Sequence, residues 1–304
     1  MSSSDTLDLY SGNIIDVHNH LFTPRIIKTM IKGMDPKRFD NFDKKFNISN
    51  NPVFNGSIEL EGIVKQWIEA MDQHNVSKLV WFPFKGFHEE IYKVVAKFPE
   101  RFIGFIWFDM LNPSDSLEIL KDGVKNHGIK GIKINPSADH VHPHDKKMYT
   151  AYEYMEKHSL TVLSHYGISM APDTDVKYIN PFDIQVAARD FPGINFIVAH
   201  MGAGFVRESL FLMYHDLNDN LFFDCSGSGS WINYLPQKTS FEDIYRRYIE
   251  VGGVEKLVFG TDSNLKGYRV EVLQQNLEIF KNLGLSREEM EKIMYKNAEK
   301  IFNV

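Results

Sequence analysis

The sequence has one cysteine, Cys225, among 304 residues, and it has no long apolar run. One thiol cannot form an intrachain disulfide or a zinc site built from cysteines. A membrane-spanning helix needs about 20 predominantly apolar residues, and the first residues lack the basic start and apolar stretch of a secretory signal. We therefore expect a soluble, cytoplasmic protein that has no membrane partner.

Basic residues are fewer than acidic ones. Lys and Arg number 34 against 40 Asp and Glu, which gives a formal net charge of −6. This balance gives no electrostatic reason to expect nucleic acid as the main partner. The hydrophobic fraction of 43% excludes a disordered chain and suffices for one large core. Because no Gly/Ser-rich or Pro-rich linker divides the chain, we predict a single domain over residues 1–304, with a small-molecule partner.

Apolar segments of strand length alternate eight times with segments of helical periodicity. Strands of this kind favour a parallel sheet covered by helices, and eight such units favour a closed (β/α)8 TIM barrel. An open doubly wound sheet would carry a glycine-rich turn after its first strand, where this chain has His18 and His20. The predicted strands are residues 14–20, 78–84, 102–109, 131–135, 161–165, 195–200, 221–224 and 256–262. The predicted helices are 24–32, 60–74, 88–98, 114–127, 145–158, 181–191, 203–217, 241–251, 268–283 and 287–302, the last two being extra helices after the final strand.

Residues 21–58 form an insertion after the first strand that is longer than an ordinary βα loop of roughly 2–6 residues. Beyond the predicted helix 24–32, the part from residue 35 to residue 57 contains four phenylalanines. It leaves the barrel at the end where barrel enzymes bind substrates. Two interpretations stay open: a lid or pocket wall over the site, and a surface excursion or oligomer contact. The four are Phe39, Phe42, Phe46 and Phe54.

Polar side chains cluster at the predicted strand ends. His18 and His20 are two residues apart on the first strand, so their side chains point to the same side. His165, His200 and Asp262 end the fifth, sixth and eighth predicted strands. Only a closed barrel brings these ends together at one mouth. Four imidazoles and a carboxylate there predict a site for a borderline divalent metal such as zinc, although a lone His-x-His is more often structural.

Short motifs in a fixed order resemble the amidohydrolase superfamily. More narrowly, they resemble the amidohydrolase-related branch that includes aminocarboxymuconate-semialdehyde decarboxylase and the dihydroxybenzoate decarboxylases. The resemblance spans residues 14–302. It rests on Ile14-Ile15-Asp16-Val17-His18-Asn19-His20, Gly131-Ile132-Lys133, Ser164-His165-Tyr166-Gly167, Ala199-His200-Met201-Gly202-Ala203-Gly204, Gly260-Thr261-Asp262-Ser263 and Asn297-Ala298.

The resemblance implies that His18, His20, His165 and Asp262 hold one divalent metal ion, with zinc the first choice. It also implies that Asp262 handles a proton and that His200 acts in acid/base catalysis. The implied function is a metal-dependent enzyme that either hydrolyses a C–N or C–O bond or removes CO2 from an unsaturated or aromatic acid. The residues suit both reactions. A catalytically silent barrel that serves as a scaffold is disfavoured, because every ligand position is filled.

Three further residues are expected at the substrate. Lys133 lies where binuclear relatives carry a carbamylated bridging lysine, but binding of a substrate carboxylate or a structural ion pair is favoured here. Arg207 follows the sixth strand and is expected to help bind a carboxylate. Trp107, near the end of the third strand, is expected to line a pocket for a flat or conjugated substrate. A homodimer is also expected.

Three histidines follow the fourth strand in the sequence Asp-His-Val-His-Pro-His-Asp. They are His140, His142 and His144. A second metal or a substrate contact is conceivable there. An exposed loop in which Asp145 caps the next helix is favoured, because the run matches no ligand pattern of the family.

Overall fold

Eight parallel strands, each hydrogen-bonded to the next, run in sequence order through the computed structural model. The structure describes residues 9–56, 58–167, 174–214, 219–227 and 230–304. The strands are β1 Ile14–His20, β2 Val76–Phe82, β3 Phe102–Trp107, β4 Gly131–Ile134, β5 Thr161–Ser164, β6 Asn195–Val198, β7 Leu221–Asp224 and β8 Leu257–Val258. All seven consecutive strand pairs are parallel.

Backbone hydrogen bonds between the first strand and the segment that follows β8 close the sheet. The amide of Val17 donates to the carbonyl of Phe259 (2.9 Å), and the amide of Asp262 donates to the carbonyl of His18 (2.9 Å). A third bond follows from the amide of His20 to the carbonyl of Ser263 (2.8 Å). The predicted (β/α)8 barrel is therefore confirmed.

Helices cover the outside of the barrel, as the parallel strands require. They are α1 Pro24–Ile31, α2 Pro36–Phe46, α3 Pro52–Asn55, α4 Leu60–Gln73, α5 His88–Lys97, α6 Pro113–His127, α7 Pro136–Asp139, α8 Tyr149–Lys157, α9 Asp183–Asp190, α10 Val206–Tyr214, α11 Phe241–Gly252, α12 Val270–Asn282, α13 Arg287–Glu291 and α14 Asn297–Phe302. No helix in the described ranges combines the length and apolar character needed to cross a membrane.

Inward-facing apolar side chains fill the barrel itself. Branched and aromatic residues of all strands but β4 form this barrel core, and residues of α14 pack against it at one end. Most of the remaining apolar residues lie between the strands and the outer helices. The barrel core consists of Ile15, Val17, Val80, Phe82, Ile103, Phe105, Leu163, Ile197, Ala199, Phe222, Val258, Ala298, Ile301 and Phe302.

Five strands, β3, β4, β5, β6 and β8, are shorter than the sequence predicts, and three of them carry site residues at their predicted ends. β5, β6 and β8 end at Ser164, Val198 and Val258, so His165, His200 and Asp262 lie in the turns just beyond them. His200 and Asp262 have positive φ angles of 57° and 56°, which a continuing strand cannot accommodate. The turn, rather than the strand, therefore aims these side chains. Part of the predicted helix 203–217 corresponds to α10, and its last positions lie outside the described residues.

The predicted helix 287–302 is interrupted by a turn of π-helix over Lys292–Lys296. This turn changes the helical hydrogen-bonding pattern, and the carbonyl of Ile293 accepts a bond from the amide of Phe259 (3.0 Å). Asn297 binds the same region, because its side-chain amide donates to the carbonyls of Val254 and Leu257 (2.8 Å each). The C-terminal helices are thus attached directly to β8.

The insertion after β1 folds against the end of that strand. It contains α1, α2, a short 3₁₀ turn and α3, and its buried side chains form one apolar cluster, which we call the cap. Phe54 is 6% exposed in this cluster, and Phe42 and Phe46 pack at its edge with ring centroids 4.8 Å apart. The buried members of the cap are Phe22, Ile26, Ile27, Ile48, Phe54 and Leu265.

A buried carboxylate reinforces the closure of the barrel. Asp16 accepts hydrogen bonds from the amide and hydroxyl of Thr261 (3.1 and 2.6 Å), and from the Asn19 side chain (2.8 Å) and the His18 amide (3.1 Å). Burial raises the pKa of Asp16 to about 7, and the hydrogen bonds from Thr261 oppose that rise. One side chain therefore links β1 to the segment after β8.

Replacing this carboxylate should weaken the barrel. We expect Asp16→Ala to lower the free energy of unfolding by about 3 kcal/mol, because several buried donors lose their acceptor. Urea denaturation followed by circular dichroism measures the change. Asp40→Ala, at an exposed position of α2, is the control and should stay within about 0.5 kcal/mol of the parent. A loss below about 1 kcal/mol for Asp16→Ala would contradict the assignment.

Candidate metal centre

A bulge in β1 aims the two leading histidines. The register between β1 and β2 shifts between Asp16 and Asn19. Regular alternation would turn Val17 and His18 to opposite faces, yet Val17 packs in the barrel core and His18 contacts side chains from β4 and β7. A bulge allows neighbouring residues to face the same side. His20 also faces inward, with its ring centroid 5.5 Å from that of His18.

His18, His20 and Asp262 form a close triad at the barrel mouth. Nε2 of His20 lies 3.1 Å from Oδ1 of Asp262, and Nε2 of His18 lies 3.6 Å from the same oxygen. One ligand-type atom from each of the three residues lies within 4.8 Å of the others. Two imidazole nitrogens and a carboxylate oxygen are a donor set that divalent transition metals accept.

His165 and His200 lie beside this triad and are not members of it. Nδ1 of His165 is 3.2 Å from Nε2 of His200. The His200 ring stacks on that of His18, with centroids 4.8 Å apart and planes 28° apart. All four sequence-predicted histidines and Asp262 thus form one continuous group, with His200 between His165 and the triad.

Asp224 is a member of this site that the sequence reading missed. It is fully buried at the end of β7, and its Oδ2 accepts from Nδ1 of His18 (2.8 Å). Its Oδ1 accepts from the amides of His200 (2.8 Å) and Ser226 (3.0 Å) and from the Ser226 hydroxyl. The signal was available, since a carboxylate that ends a barrel strand meets the other strand ends at the mouth.

The hydrogen bonds of Ser226 determine which nitrogens carry protons. Its hydroxyl has one proton, and that proton goes to Asp224. Ser226 Oγ must then accept from Nδ1 of His200 (2.8 Å), which leaves Nε2 of His200 as an acceptor for Nδ1–H of His165. Nε2 of His165 consequently keeps a lone pair, and it is buried without a partner in the described part of the chain.

Burial favours the neutral form of three imidazoles, those of His18, His165 and His200. It lowers the pKa of His18 well below the ordinary value, and the neighbouring ammonium of Lys133 lowers it further. Burial likewise lowers the pKa values of His165 and His200. For Asp262, burial would raise the pKa, but the hydrogen bond from His20 and the nearby histidines hold it below its usual range. A carboxylate surrounded by neutral imidazoles is the state that binds metal ions.

Lys133 projects into the same space from β4. Its Nζ is 3.4 Å from Nε2 of His18 and 5.4 Å from the centre of the Phe82 ring, and the residue is 1% exposed. Burial lowers the pKa of Lys133 to about 8, although Asp224 and Asp262 oppose the shift. Within the described ranges no carboxylate oxygen lies within 4.0 Å of Nζ, so the expected structural ion pair is not formed.

Aromatic rings line one side of the mouth. Phe84 stacks on Trp107 with ring centroids 5.2 Å apart and planes 22° apart. Phe22 lies 5.0 Å from Phe84, and both rings lie about 6 Å from that of His20. We call Phe22, Phe84 and Trp107 the aromatic wall. Nε1 of Trp107 is buried and has no partner among the described residues, so it offers a hydrogen bond at this wall.

Arg207 does not lie with these residues. Its side chain is 75% exposed on α10 and pairs with the adjacent Glu208 at 2.6 Å. The prediction of a substrate contact is unsupported, because its guanidinium already has a carboxylate partner in solvent. Arg269 is the arginine that approaches the site. It donates to the carbonyl of Thr261 (3.2 Å) and lies 3.9 Å from Oδ2 of Asp262.

The turn after β6 explains the position of His200. His200, Met201, Gly202, Ala203 and Gly204 all have positive φ. Such a run is uncommon for residues other than glycine, and it folds the chain tightly against its neighbours. A Cβ atom at Gly202 would clash with the hydroxyl of Ser209 in α10, and one at Gly167 would clash with Ala203. The turns that carry His165 and His200 are therefore packed directly against each other.

The role of Ser226 can be measured. In the metal-free protein, Ser226→Ala should populate the Nε2–H tautomer of His200, because Nδ1–H loses its acceptor. Long-range ¹⁵N–¹H correlations of labelled histidine report the tautomer directly. Ser137→Ala is the control, since its buried hydroxyl donates to Asn135 and, among the described residues, none of its hydrogen bonds involves histidine. An unchanged His200 tautomer in Ser226→Ala would show that Ser226 does not set it.

Comparisons with known proteins place this geometry in context. A sequence comparison with curated proteins finds no match. Among solved structures, a dihydroxybenzoic acid decarboxylase from Polaromonas sp. JS666, with bound manganese and the inhibitor 2-nitroresorcinol, is 16% identical. That match has a TM-score of 0.67 and covers 96% of this chain and 97% of the other.

Two further structures are similar over nearly the whole chain. A 5-carboxyvanillate decarboxylase from Novosphingobium aromaticivorans, in complex with manganese and 4-hydroxy-3-methoxy-5-nitrobenzoic acid, is 14% identical, with a TM-score of 0.67 and 96% of each chain covered. A 4-oxalomesaconate hydratase from Rhodopseudomonas palustris is 20% identical, with a TM-score of 0.63 and 95% of each chain covered. At these identities the likeness concerns the fold. A family model described as amidohydrolase matches residues 15–304, and the chain therefore belongs to the amidohydrolase family.

Proposed function

We propose that this protein is a metal-dependent, nonoxidative decarboxylase of a small aromatic or conjugated carboxylic acid. One observation carries the proposal: a close His/His/Asp triad lies between a wall of aromatic rings and a buried lysine that has no carboxylate partner among the described residues. Such a site offers a metal position, a cation for a carboxylate and a flat apolar surface. Similar structures named as decarboxylases of hydroxylated benzoic acids support this choice.

The residues fit a divalent metal ion. His18, His20 and Asp262 would hold it, and the unpartnered Nε2 of His165 makes that histidine the proposed fourth ligand. The contact of His18 Nδ1 with Asp224 is the kind of outer bond that orients ligating histidines. When bound, the ion acts as a Lewis acid toward the oxygens of a substrate. Nitrogen-rich ligation favours zinc in our proposal, whereas two similar structures hold manganese.

Lys133 and the aromatic wall would orient the substrate. A buried ammonium without a carboxylate partner gains most from an anionic ligand, so Lys133 is the proposed partner of the substrate carboxylate. The rings of Phe22, Phe84 and Trp107 would pack against a planar substrate, and Trp107 Nε1 would donate to one of its oxygens. A cavity of about 240 Å³ adjoins His20 and Phe22 below the cap, and its other lining residues belong to the insertion, α4 and residues 264–267.

Apolar surroundings favour decarboxylation over hydrolysis at this site. Loss of CO2 moves the negative charge from a compact carboxylate into the conjugated system of the substrate, where it is more dispersed, so a desolvated, aromatic environment favours the change. The C–C bond breaks with its electron pair left on the substrate carbon, and a proton takes the place of the carboxylate. Hydrolysis would instead require room for an attacking water beside a scissile C–N or C–O bond.

Asp262 and His200 are the proposed proton-handling groups. The low pKa of Asp262 keeps it as a carboxylate at neutral pH, so it would first accept a proton from a hydroxyl of the bound substrate or from water and then deliver that proton to the substrate carbon. Neutral His200 is bonded to His165 and Ser226 and would stabilise the charge that appears during this transfer. The cap would exclude water from the same volume, which strengthens each of these electrostatic contacts.

The reaction class is tested with a panel of substrates. Metal-loaded protein should release CO2 from hydroxylated benzoic acids, or from conjugated acids of muconate type, and chelation of the metal should abolish release. His20→Ala should lower metal content by 10-fold or more, whereas His200→Ala should keep the metal and lower turnover by about 10²–10⁴-fold. Turnover of amides or lactones without CO2 release would instead establish a hydrolase. Full activity in chelator would overturn the proposal.

The role of Lys133 gives a separate prediction. Lys133→Gln removes the cation and should raise KM for the carboxylate substrate by about 10–100-fold, because charged hydrogen bonds contribute about 1.5–3 kcal/mol. Its metal content should not change. Lys130→Gln, at the exposed residue immediately before β4, is the matched control. Loss of metal in Lys133→Gln would indicate a bridging role, such as a carbamylated ligand, in place of substrate binding.

Compartment and assembly complete the proposal. The single thiol, Cys225, is buried, and burial raises its pKa, so it suits a reducing compartment and we propose the cytoplasm. A homodimer also stays a prediction, which sedimentation analysis of the whole chain tests.

A further inference from the structure

A second group of histidines lies outside the candidate metal centre. The segment after α7 makes a turn in which the amide of Asp145 donates to the carbonyl of His142 (3.0 Å), with Pro143 at its second position. The turn brings His142 and His144 together, with ring centroids 5.1 Å apart and planes only 24° apart. Both rings are partly buried, so the expectation of an exposed loop is wrong for these two residues, whereas Asp145 caps the next helical turn as expected, its side chain accepting from the amide of Lys147 (3.0 Å).

Asp183, the first residue of α9, joins both rings. Nδ1 of His142 lies 2.7 Å from Oδ2 of Asp183, and Nδ1 of His144 donates to the backbone carbonyl of Asp183 (2.9 Å). The Tyr178 ring lies 4.5 Å from that of His142 and covers one side of the group. Two segments that follow different strands, β4 and β5, thus meet at these three side chains.

We propose that His142, His144 and Asp183 form a second divalent-metal site, distinct from the triad at the barrel mouth. One ligand-type atom from each residue lies within 4.8 Å of the others. His144 has its Nδ1 proton engaged by a backbone carbonyl, which leaves the lone pair of Nε2 for a metal, the usual arrangement of ligating histidines. Two imidazoles and one carboxylate select a borderline transition ion such as zinc over calcium or magnesium.

Partial exposure decides how this site would behave. The His142 and Asp183 side chains are 30% and 20% exposed, so an ion enters without opening the fold and keeps water as its remaining ligands. A site of this kind binds a metal ion more weakly than the buried triad does, so it becomes occupied when the concentration of free metal rises. An ion there would fasten the segment after α7 to the start of α9. The bound state should therefore be the more stable one.

The test is a zinc titration of tag-free protein that already carries the metal of the barrel mouth. Calorimetry should show one further equivalent of zinc in the parent chain. The double variant His142→Ala/His144→Ala should lose that equivalent, and Asp183→Asn should weaken it by 10-fold or more. His158→Ala, an exposed histidine at the end of α8, is the matched control and should bind like the parent. Added zinc should raise the thermal midpoint of the parent and of His158→Ala, but not of the double variant.

Each result bears on the proposal separately from the catalytic one. Absence of a further equivalent in the parent, or its persistence in the double variant, would overturn the second site. If the double variant fails to fold, Asp183→Asn and His144→Gln decide, because unchanged zinc affinity in both would also overturn it. A His20→Ala chain that loses the first ion should still bind the second. The parent could release no CO2 and still bind the further zinc equivalent, while the double variant does not bind it. That result would refute the decarboxylase and support the second metal site.

Discussion

Closure of the barrel between its first strand and the segment after its last is the constraint on which the site depends. His20 and Asp262 are separated by 242 positions, and they lie 3.1 Å apart only because β1 pairs with that segment. The carboxylate of Asp16 fixes this junction through Thr261, and the C-terminal helices support it from outside through Ile293 and Asn297. The bulge in β1 lies at the same junction. Architecture and ligand geometry therefore have one origin.

A second carboxylate, Asp224, organises what closure brings together. Asp224 accepts one hydrogen bond from the His18 ring and another from the backbone amide of His200. Through the Ser226 hydroxyl it also sets which nitrogens of His200 and His165 carry protons. Burial favours the neutral form of His18, His165 and His200, so each of these three presents a lone pair in a defined direction. Lys133 contributes the positive charge that faces them. The site thus combines imidazole nitrogens with a buried cation, which is the combination that the proposed function requires.

The sequence predicted the barrel, because eight apolar strands alternate with helices and each strand supplies a clear local signal. It also located His18, His20, His165, His200 and Asp262 at the mouth, since the strand ends of a closed barrel meet there. It could not predict the bulge that turns both Val17 and His18 inward, because a bulge depends on pairing with a strand sixty residues away. Contacts between distant segments, such as that between Ser226 and His200, produce no periodic pattern in the sequence. Arg207 was predicted to contact the substrate, but its guanidinium forms an ion pair with the neighbouring Glu208 instead.

The packing of the turns after β5 and β6 bears on how this enzyme can change over evolution. Gly167 and Gly202 have no space for a larger side chain, and the residues around Gly202 are held in positive φ. Mutations on this side of the mouth therefore carry a steric penalty before they can alter binding. The opposite side is built from Phe22, Phe84 and Trp107, whose rings meet through ordinary stacking contacts that other side chains could replace. New substrate preferences would arise most readily by replacing rings of that wall, while the histidine side of the pocket stays fixed across descendants.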